Sequence, residues 1–252
     1  MIDTVTFDLW NTLIVNTPPD MEKYRQRRLQ RIESILREHG YDVTPGQLLD
    51  AYLKGFEKCK ETWRNNLDLS TEDQINAFMG FLGYADLQTA AQSMMPDLVE
   101  AYSFPIMDDP PALVEGASDV LAVMNQDGYK IGMICNTGTT PGRTLRKLLT
   151  KFGLLDFFGV TTFSDELKIR KPDPRIFQHT LRELGSAAQS SLHVGDLLGV
   201  DVLGAKNVGM VAVHLDSGQT FFDEILPDCN GEVQPDFSIG RLKDLRCILN
   251  HL

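Results

Sequence analysis

Four short apolar runs in this chain stop abruptly at polar residues. Thr4–Phe7 ends at Asp8, Ile131–Ile134 runs into Cys135, Asn136, Thr137 and Gly138, Val160–Phe163 into Ser164 and Asp165, and Leu192–Val194 into Gly195 and Asp196. Runs this short, rich in β-branched and aromatic residues, read as buried strands. Helical patterns separate them, and strands alternating with helices form a parallel sheet. All the C-terminal strand ends of such a sheet lie along one edge, which is where open α/β sheets bind ligands. A carboxylate at the mouth of an apolar strand is costly to desolvate, so Asp8 and Asp196 must be hydrogen-bonded, paired with a cation, or reactive.

Between the first and second runs the periodicity is helical throughout. Met21–His39 carries Tyr24, Arg28, Leu29, Ile32, Ile35 and Leu36 at helical spacing and stops at Gly40. Thr44-Pro45 reads as cap and first position of a second helix through Trp63, Ser70–Asp73 as the capped start of a third through Phe81, and Ala85–Tyr102 as a fourth containing Pro96. Pro105–Pro111 is the return linker. From Gly116 the pattern predicts a helix to about Gln126, a strand from Lys130, a helix over Pro141–Phe152, a strand near Val160, a helix over Pro174–Leu184 and a strand at Leu192. A helix over Val200–Asn207 and a strand over Met210–His214 follow; after a loop rich in Gly, Asp and Pro come a short strand, Phe237–Ile239, and a closing helix, Leu242–Leu252. The expected fold is α/β: a Rossmann-like, doubly wound parallel sheet built from residues 1–15 and 106–252, with a four-helix-bundle cap, residues 16–105, inserted after the first strand.

The 252 residues are 42% hydrophobic and 23% charged, enough for a sizeable core. A formal charge of −11 argues against nucleic acid or an anionic membrane surface as partner, since phosphate backbones demand clustered Lys and Arg. Cys59, Cys135, Cys229 and Cys247 form no short-spaced pair, Asp8 interrupts the N-terminal apolar stretch so early that no secretory leader is expected there, and no apolar run approaches the roughly 20 residues of a membrane span. The expectation is a cytoplasmic protein with reduced thiols that takes a small anionic metabolite, as monomer or homodimer. Arg25, Arg27, Arg28 and Arg31 on the first helix read as a solvated face, with contact to an anionic substrate as the alternative.

With its four strand ends taken in order, the chain resembles the haloacid dehalogenase superfamily of aspartate-nucleophile hydrolases. Its first motif, Asp-x-Asp-x-Thr, stands here as Asp8-Leu9-Trp10-Asn11-Thr12, without the second aspartate. The second ends a strand with Ser or Thr, matched by Cys135 and the following Asn136; the third is a Lys ahead of a helix, matched by Lys171; the fourth, Gly-Asp-x-x-x-x-Asp, is intact as Gly195-Asp196 through Asp201. The helical insert is similar to the cap of the family's dehalogenase-like and phosphoglycolate-phosphatase-like branches.

The resemblance implies that Asp8 is a nucleophile forming a covalent ester, that Lys171 balances its charge, and that Thr12, Cys135, Asn136 and Lys171 hold phosphate. It also implies Mg²⁺ held by Asp8, Asp196 and the backbone carbonyl of Trp10, with Asp201 behind; oxygen donors without a His or Cys cluster suit that ion. Each residue also has a plain reading: Asp8 as a turn cap, Lys171 as one of several solvated charges, Cys135 as a small buried strand end, Trp10 as an aromatic plug. Indole can neither protonate a leaving group nor activate water, so the expected activity is that of a phosphatase lacking the usual acid/base carboxylate. The alternatives are a 2-haloacid dehalogenase, which resembles this chain at position 10 but not at Gly195-Asp196, and a phosphate-binding or regulatory protein with little turnover.

Overall fold

The computed structural model describes residues 1–216, 218 and 233–252. In chain order these form β1 (Thr4–Phe7), β2 (Ile14–Val15), α1 (Pro18–Glu38), α2 (Pro45–Trp63), α3 (Thr71–Met79), α4 (Leu87–Ser103), α5 (Pro105–Asp108), β3 (Ala112–Leu113), α6 (Ala117–Gln126) and β4 (Lys130–Cys135). Then come α7 (Gly142–Lys151), β5 (Val160–Phe163), α8 (Ser164–Leu167), α9 (Pro174–Leu184), β6 (Ser191–Gly195), α10 (Leu203–Val208), β7 (Val211–Leu215), β8 (Phe237–Ile239) and α11 (Leu245–Leu249).

The main sheet is six-stranded and parallel in the order β5-β4-β1-β6-β7-β8. Side chains alternate between its two covered faces. Val5, Phe7, Met133 and Cys135 join Leu121, Leu145, Leu148 and Leu245 on the face covered by α6, α7 and α11. Ile134 and Ala212 join Ile176, Phe177 and Ala205 on the face covered by α9 and α10. This period of two across two apolar layers fixes the strand register.

Helices α1–α4 gather a separate apolar core from Ile32, Leu36, Leu48, Ile75, Phe78, Met94 and Leu98. Three of them start with reciprocal capping boxes, Thr17 with Asp20, Thr44 with Gln47 and Ser70 with Asp73, each cap worth about 1 kcal/mol. Gly55 lets α2 approach α3, because a Cβ there would lie 2.8 Å from the Cβ of Phe78. The chain enters and leaves this helical insert through a two-stranded ribbon, Ile14 opposite Leu113 and Val15 opposite Ala112. A third attachment is a short antiparallel bridge from the α2–α3 turn to the loop before α9: Asp68 N donates to the Lys168 carbonyl (3.1 Å) and Arg170 N to the Asn66 carbonyl (2.9 Å).

Several boundaries differ from those predicted. Helix α1 begins at Pro18, three residues early, because Thr17 and Asp20 close a capping box around two prolines that suit a first turn. Helix α3 stops at Met79, short of Phe81, and α4 starts at Leu87 rather than Ala85. The expected Pro105–Pro111 linker contains the single turn α5. The expected helix Val200–Asn207 is split: Leu198–Val202 winds as a wide π-type turn before α10, the kind of irregularity that accompanies functional sites. The closing helix is a 3₁₀ turn, Leu242–Asp244, followed by α11, which ends at Leu249. Cys59, Cys135 and Cys247 are free thiols; Cys229 and most of the Gly-, Asp- and Pro-rich loop lie outside the described residues. No helix among the described residues is long and apolar enough to cross a membrane.

Candidate active site

Three carboxylates converge where β1 and β6 end. Ligand atoms of Asp8, Asp196 and Asp201 all lie within 4.8 Å of one another, and all three residues are buried. β1 and β6 are paired neighbours, and Asp8 N extends the ladder by donating to the Val194 carbonyl (2.9 Å). The backbone at Asp196 is fixed by His214 Nε2 on its carbonyl (2.9 Å). Gly195 is required for close approach: a Cβ there would fall 2.2 Å from Cγ of Asp201.

Lys171 enters from the loop before α9. Its Nζ lies 2.5 Å from Asp8 Oδ1 and 2.7 Å from Asp201 Oδ1. Asn136, at the end of β4, grips the Lys171 backbone with both side-chain atoms, accepting from Lys171 N (2.9 Å) and donating to its carbonyl (3.1 Å). Asp201 also accepts from Leu197 N (3.1 Å) and from His193 Nε2 (3.2 Å). Burial holds the imidazole below its ordinary pKa and so neutral; with Nε2–H donated to Asp201, Nδ1 accepts from the Thr6 hydroxyl at 2.8 Å.

One ammonium against three carboxylates leaves excess negative charge in a place that water barely reaches. Burial raises the Asp8 carboxyl to about 6 against the pull of Lys171, and burial followed by repulsion from Asp8 and Asp201 pushes Asp196 up to about 8. Burial works to raise Asp201 as well, but the Lys171 charge and the His193 bond hold it down at about 2. Burial opposes the charge on Lys171, yet Asp201 and Asp8 carry its pKa above the ordinary lysine value. Such an oxygen-only, electron-rich cluster fits a small divalent cation.

These residues open into a cavity of about 460 Å³ between the sheet edge and α1–α2. Trp10 lines it and packs against the core, its indole N–H donating to the Asn136 carbonyl at 3.2 Å. Asn11, in the left-handed region at φ 56°, donates to Asp196 Oδ2 (3.3 Å). The helical insert grips the loop after β4: Gln74 Nε2 donates to the Gly138 carbonyl (3.0 Å) and Arg28 Nη2 to Thr139 Oγ1 (3.2 Å). Asp68 adds a buried clasp next to Lys171, accepting from Arg170 Nη1 (2.7 Å), Trp63 Nε1 (2.9 Å) and the Ser164 hydroxyl.

Asp8, Lys171, Asp196, Asp201 and Trp10 are thus brought together as the motifs imply. Of the expected phosphate contacts besides Lys171, Asn136 lines the cavity, while Cys135 and Thr12 do not. Asn136 spends its side chain on the Lys171 backbone. Cys135 points into the α6–α7 layer beside Met133, where burial raises its thiol far above the ordinary value. Thr12 is fully buried with no partner for its hydroxyl. Arg28, expected on a solvated helix face, is instead buried among cavity-lining residues, whereas Arg27 and Arg31 lie near Asp108. His193 and Asp68 escaped notice: an alternating strand hides one polar inward residue, and a turn aspartate carries no signal of its distant partners.

A family profile described as haloacid dehalogenase-like hydrolase matches residues 2–209. A glyceraldehyde 3-phosphate phosphatase of Methanopyrus kandleri is 30% identical over 100% of this chain and 99% of its own length. One of Pyrococcus abyssi is 34% identical over 87% of this chain and 83% of its own. The solved 2-haloacid dehalogenase of Pseudomonas syringae pv. Tomato DC3000 superposes with a TM-score of 0.70 at 20% identity, covering 100% of this chain and 99% of that one, a likeness of fold. A profile spanning most of the chain, over the strand ends that carry Asp8 and Asp196 and the loop that carries Lys171, makes this protein a member of the haloacid dehalogenase-like hydrolases.

Proposed function

We propose that the protein is a Mg²⁺-dependent phosphatase for small phosphorylated metabolites, working through an aspartyl-phosphate on Asp8. The observation that carries this is the pairing of Lys171 with Asp8 inside the Asp8–Asp196–Asp201 cluster. The relatives named as glyceraldehyde 3-phosphate phosphatases support phosphate esters over haloacids.

Lys171 occupies Oδ1 of Asp8, which leaves Oδ2 to attack phosphorus. The new bond is carboxyl oxygen to phosphorus, and the bond that breaks joins phosphorus to the ester oxygen, which departs as an alkoxide in need of a proton. Water then attacks the same phosphorus, releasing inorganic phosphate and restoring Asp8. Asp201, with His193 and Leu197 N behind it, holds the Lys171 ammonium where it faces both the nucleophile and the transferring phosphoryl group. Asp8 and Asp196, with the Trp10 carbonyl and with Asp201 behind, would hold Mg²⁺, which when bound would supply charge neutralisation at the phosphoryl oxygens. Position 10 offers no carboxylate, so leaving-group protonation and water activation go without the side chain that usually serves them; general acid–base help is worth about 10² to 10⁴ in rate.

The test is a panel of alkyl and aryl phosphate esters with and without Mg²⁺, beside a 2-haloacid. Mg²⁺-dependent release of inorganic phosphate, abolished in Asp8→Asn, is the expected result. Metal-independent halide release, or no turnover of any ester, would overturn the reading.

A further inference from the structure

Among the described residues five cations line the cavity, and four meet a carboxylate: Arg25 meets Glu22, Lys60 meets Glu57 at 2.7 Å, Arg170 meets Asp68 at 2.7 Å, and Lys171 meets Asp8 and Asp201. Arg28 is the exception. It is 4% exposed, yet among the described residues no carboxylate lies within 4.0 Å of its guanidinium. Its partners are all neutral. Nε donates to the Tyr102 carbonyl (2.6 Å), Nη1 to the Tyr52 hydroxyl (3.0 Å) and Nη2 to Thr139 Oγ1 (3.2 Å), while the rings of Tyr102 and Tyr52 lie 4.6 and 5.8 Å from its central carbon.

Those contacts orient the group and hold it rigidly. Ring faces and neutral acceptors offset only part of the cost of desolvating a cation, and the other four cations show how this protein meets that cost elsewhere. A guanidinium has five N–H donors, and three are engaged, so donors remain free to bind an anion. The group also has a location: it belongs to α1, whereas Asp8 and Lys171 belong to the sheet edge. A phosphoryl group on Asp8 is met by Lys171, so the wall built by the helices meets whatever the phosphate is attached to.

We infer that Arg28 binds a second anionic group, a carboxylate or phosphate carried by the leaving group, so that preferred substrates are esters of hydroxy acids or bisphosphates rather than esters of neutral alcohols or aldehydes. This rests on the phosphatase reading above and goes beyond it, since glyceraldehyde 3-phosphate carries no second anion. Charge-assisted contacts to a buried guanidinium are strong enough for an affinity difference of tenfold or more.

The experiment compares kcat/KM for 3-phosphoglycerate, 1,3-propanediol bisphosphate and glycerol 3-phosphate in wild type, Arg28→Lys and Arg28→Met. Ratios between substrates do not depend on the folded fraction of a variant. The expected result is that at least one substrate with a second anionic group is favoured over glycerol 3-phosphate at least tenfold in wild type; the ratio falls at least tenfold in Arg28→Met and partly survives in Arg28→Lys. The favoured substrate tells carboxylate from phosphate. A wild-type ratio near one, or a ratio that Arg28→Met leaves unchanged, means that Arg28 only ties the helices together and overturns the inference. Calorimetric binding of the same three compounds to Asp8→Asn, with and without Arg28→Met, separates this from failure of the phosphatase reading. An Arg28-dependent preference in binding without turnover in wild type sinks the phosphatase and keeps the anion site; equal binding of all three sinks the site.

Discussion

Replacing Asp196 by Asn should stabilise the protein without divalent cation, by an amount that grows with pH. Burial and its two carboxylate neighbours raise Asp196 from 3.8 to about 8, so between those values the folded chain keeps a proton that the unfolded chain has released. The slope of unfolding free energy with pH follows protons bound unfolded minus folded; that difference is negative here, and stability falls as pH rises through the window. A shift of about 4 units (8 less 3.8) at roughly 1.4 kcal/mol each sets a ceiling near 6 kcal/mol. Relaxation and water entry at buried charges lower the observable difference to roughly 2 to 4 kcal/mol. Asp8, raised to about 6, acts in the same direction, while Asp201, held at about 2, contributes stability above the ordinary 3.8 that is lost only as pH falls toward 2. Urea unfolding of wild type and Asp196→Asn from about pH 5 to 9, with chelator or with excess Mg²⁺, reads this directly. With chelator the wild-type midpoint should drop toward alkaline pH and the variant's should stay flatter; Mg²⁺ should rescue wild type most at high pH, because binding requires the protons to leave. A wild-type midpoint independent of pH in chelator, or the same slope in both proteins, would refute the electrostatic account of the cluster.

Trp10→Asp should raise turnover of an alkyl phosphate relative to an aryl phosphate when compared with Trp10→Asn, by up to about 10²-fold, since only the poor leaving group needs a proton; equal behaviour of the two variants would show that position 10 serves packing alone. Asp68→Ala leaves the largely buried Arg170 without its acid and should cost about 3 to 5 kcal/mol in urea unfolding, whereas an unchanged midpoint would show that the clasp contributes nothing. Gly195→Ala drives a Cβ into the Asp201 carboxylate and should lower phosphate release on the order of 10²-fold while the circular dichroism spectrum stays native; full activity would mean that the loop yields freely.

The sheet was legible because its strands are short apolar runs cut off by Asp, Asn or Gly, and because helical periodicity between them forces parallel pairing. Asp8 and Asp196 stood out for the same reason: a strand end tells where a side chain is without knowledge of its neighbours. Arg28 was misread, and the hold of the Asn136 side chain on the Lys171 backbone went unforeseen, for the opposite reason. Their positions were placed correctly, but whether a side chain faces a cavity, a neighbouring backbone or bulk water depends on packing between segments distant in sequence. The bridge of Asn66–Asp68 to Lys168–Arg170 joins stretches about 100 residues apart, and nothing local in either announces the other. Ribbon strands of two residues fall below the length at which alternation can be recognised.

That ribbon changes how the insertion bears on folding of the sheet. Residues 16–111, 96 in all, begin and end side by side at Val15 and Ala112. To the sheet the whole excursion is a single hairpin turn. Closing 96 residues instead of four costs only about 3 kcal/mol more in chain entropy, because the penalty grows with the logarithm of length. The helices, with their own apolar core and caps, lower that penalty further whenever they fold first, since a folded insert already holds its two ends together. As far as chain closure goes, the splice therefore leaves the sheet indifferent to the length of what is inserted; what holds the sequence between Val15 and Ala112 to its present form is its own ties to the sheet edge, through Asp68, Gln74 and Arg28.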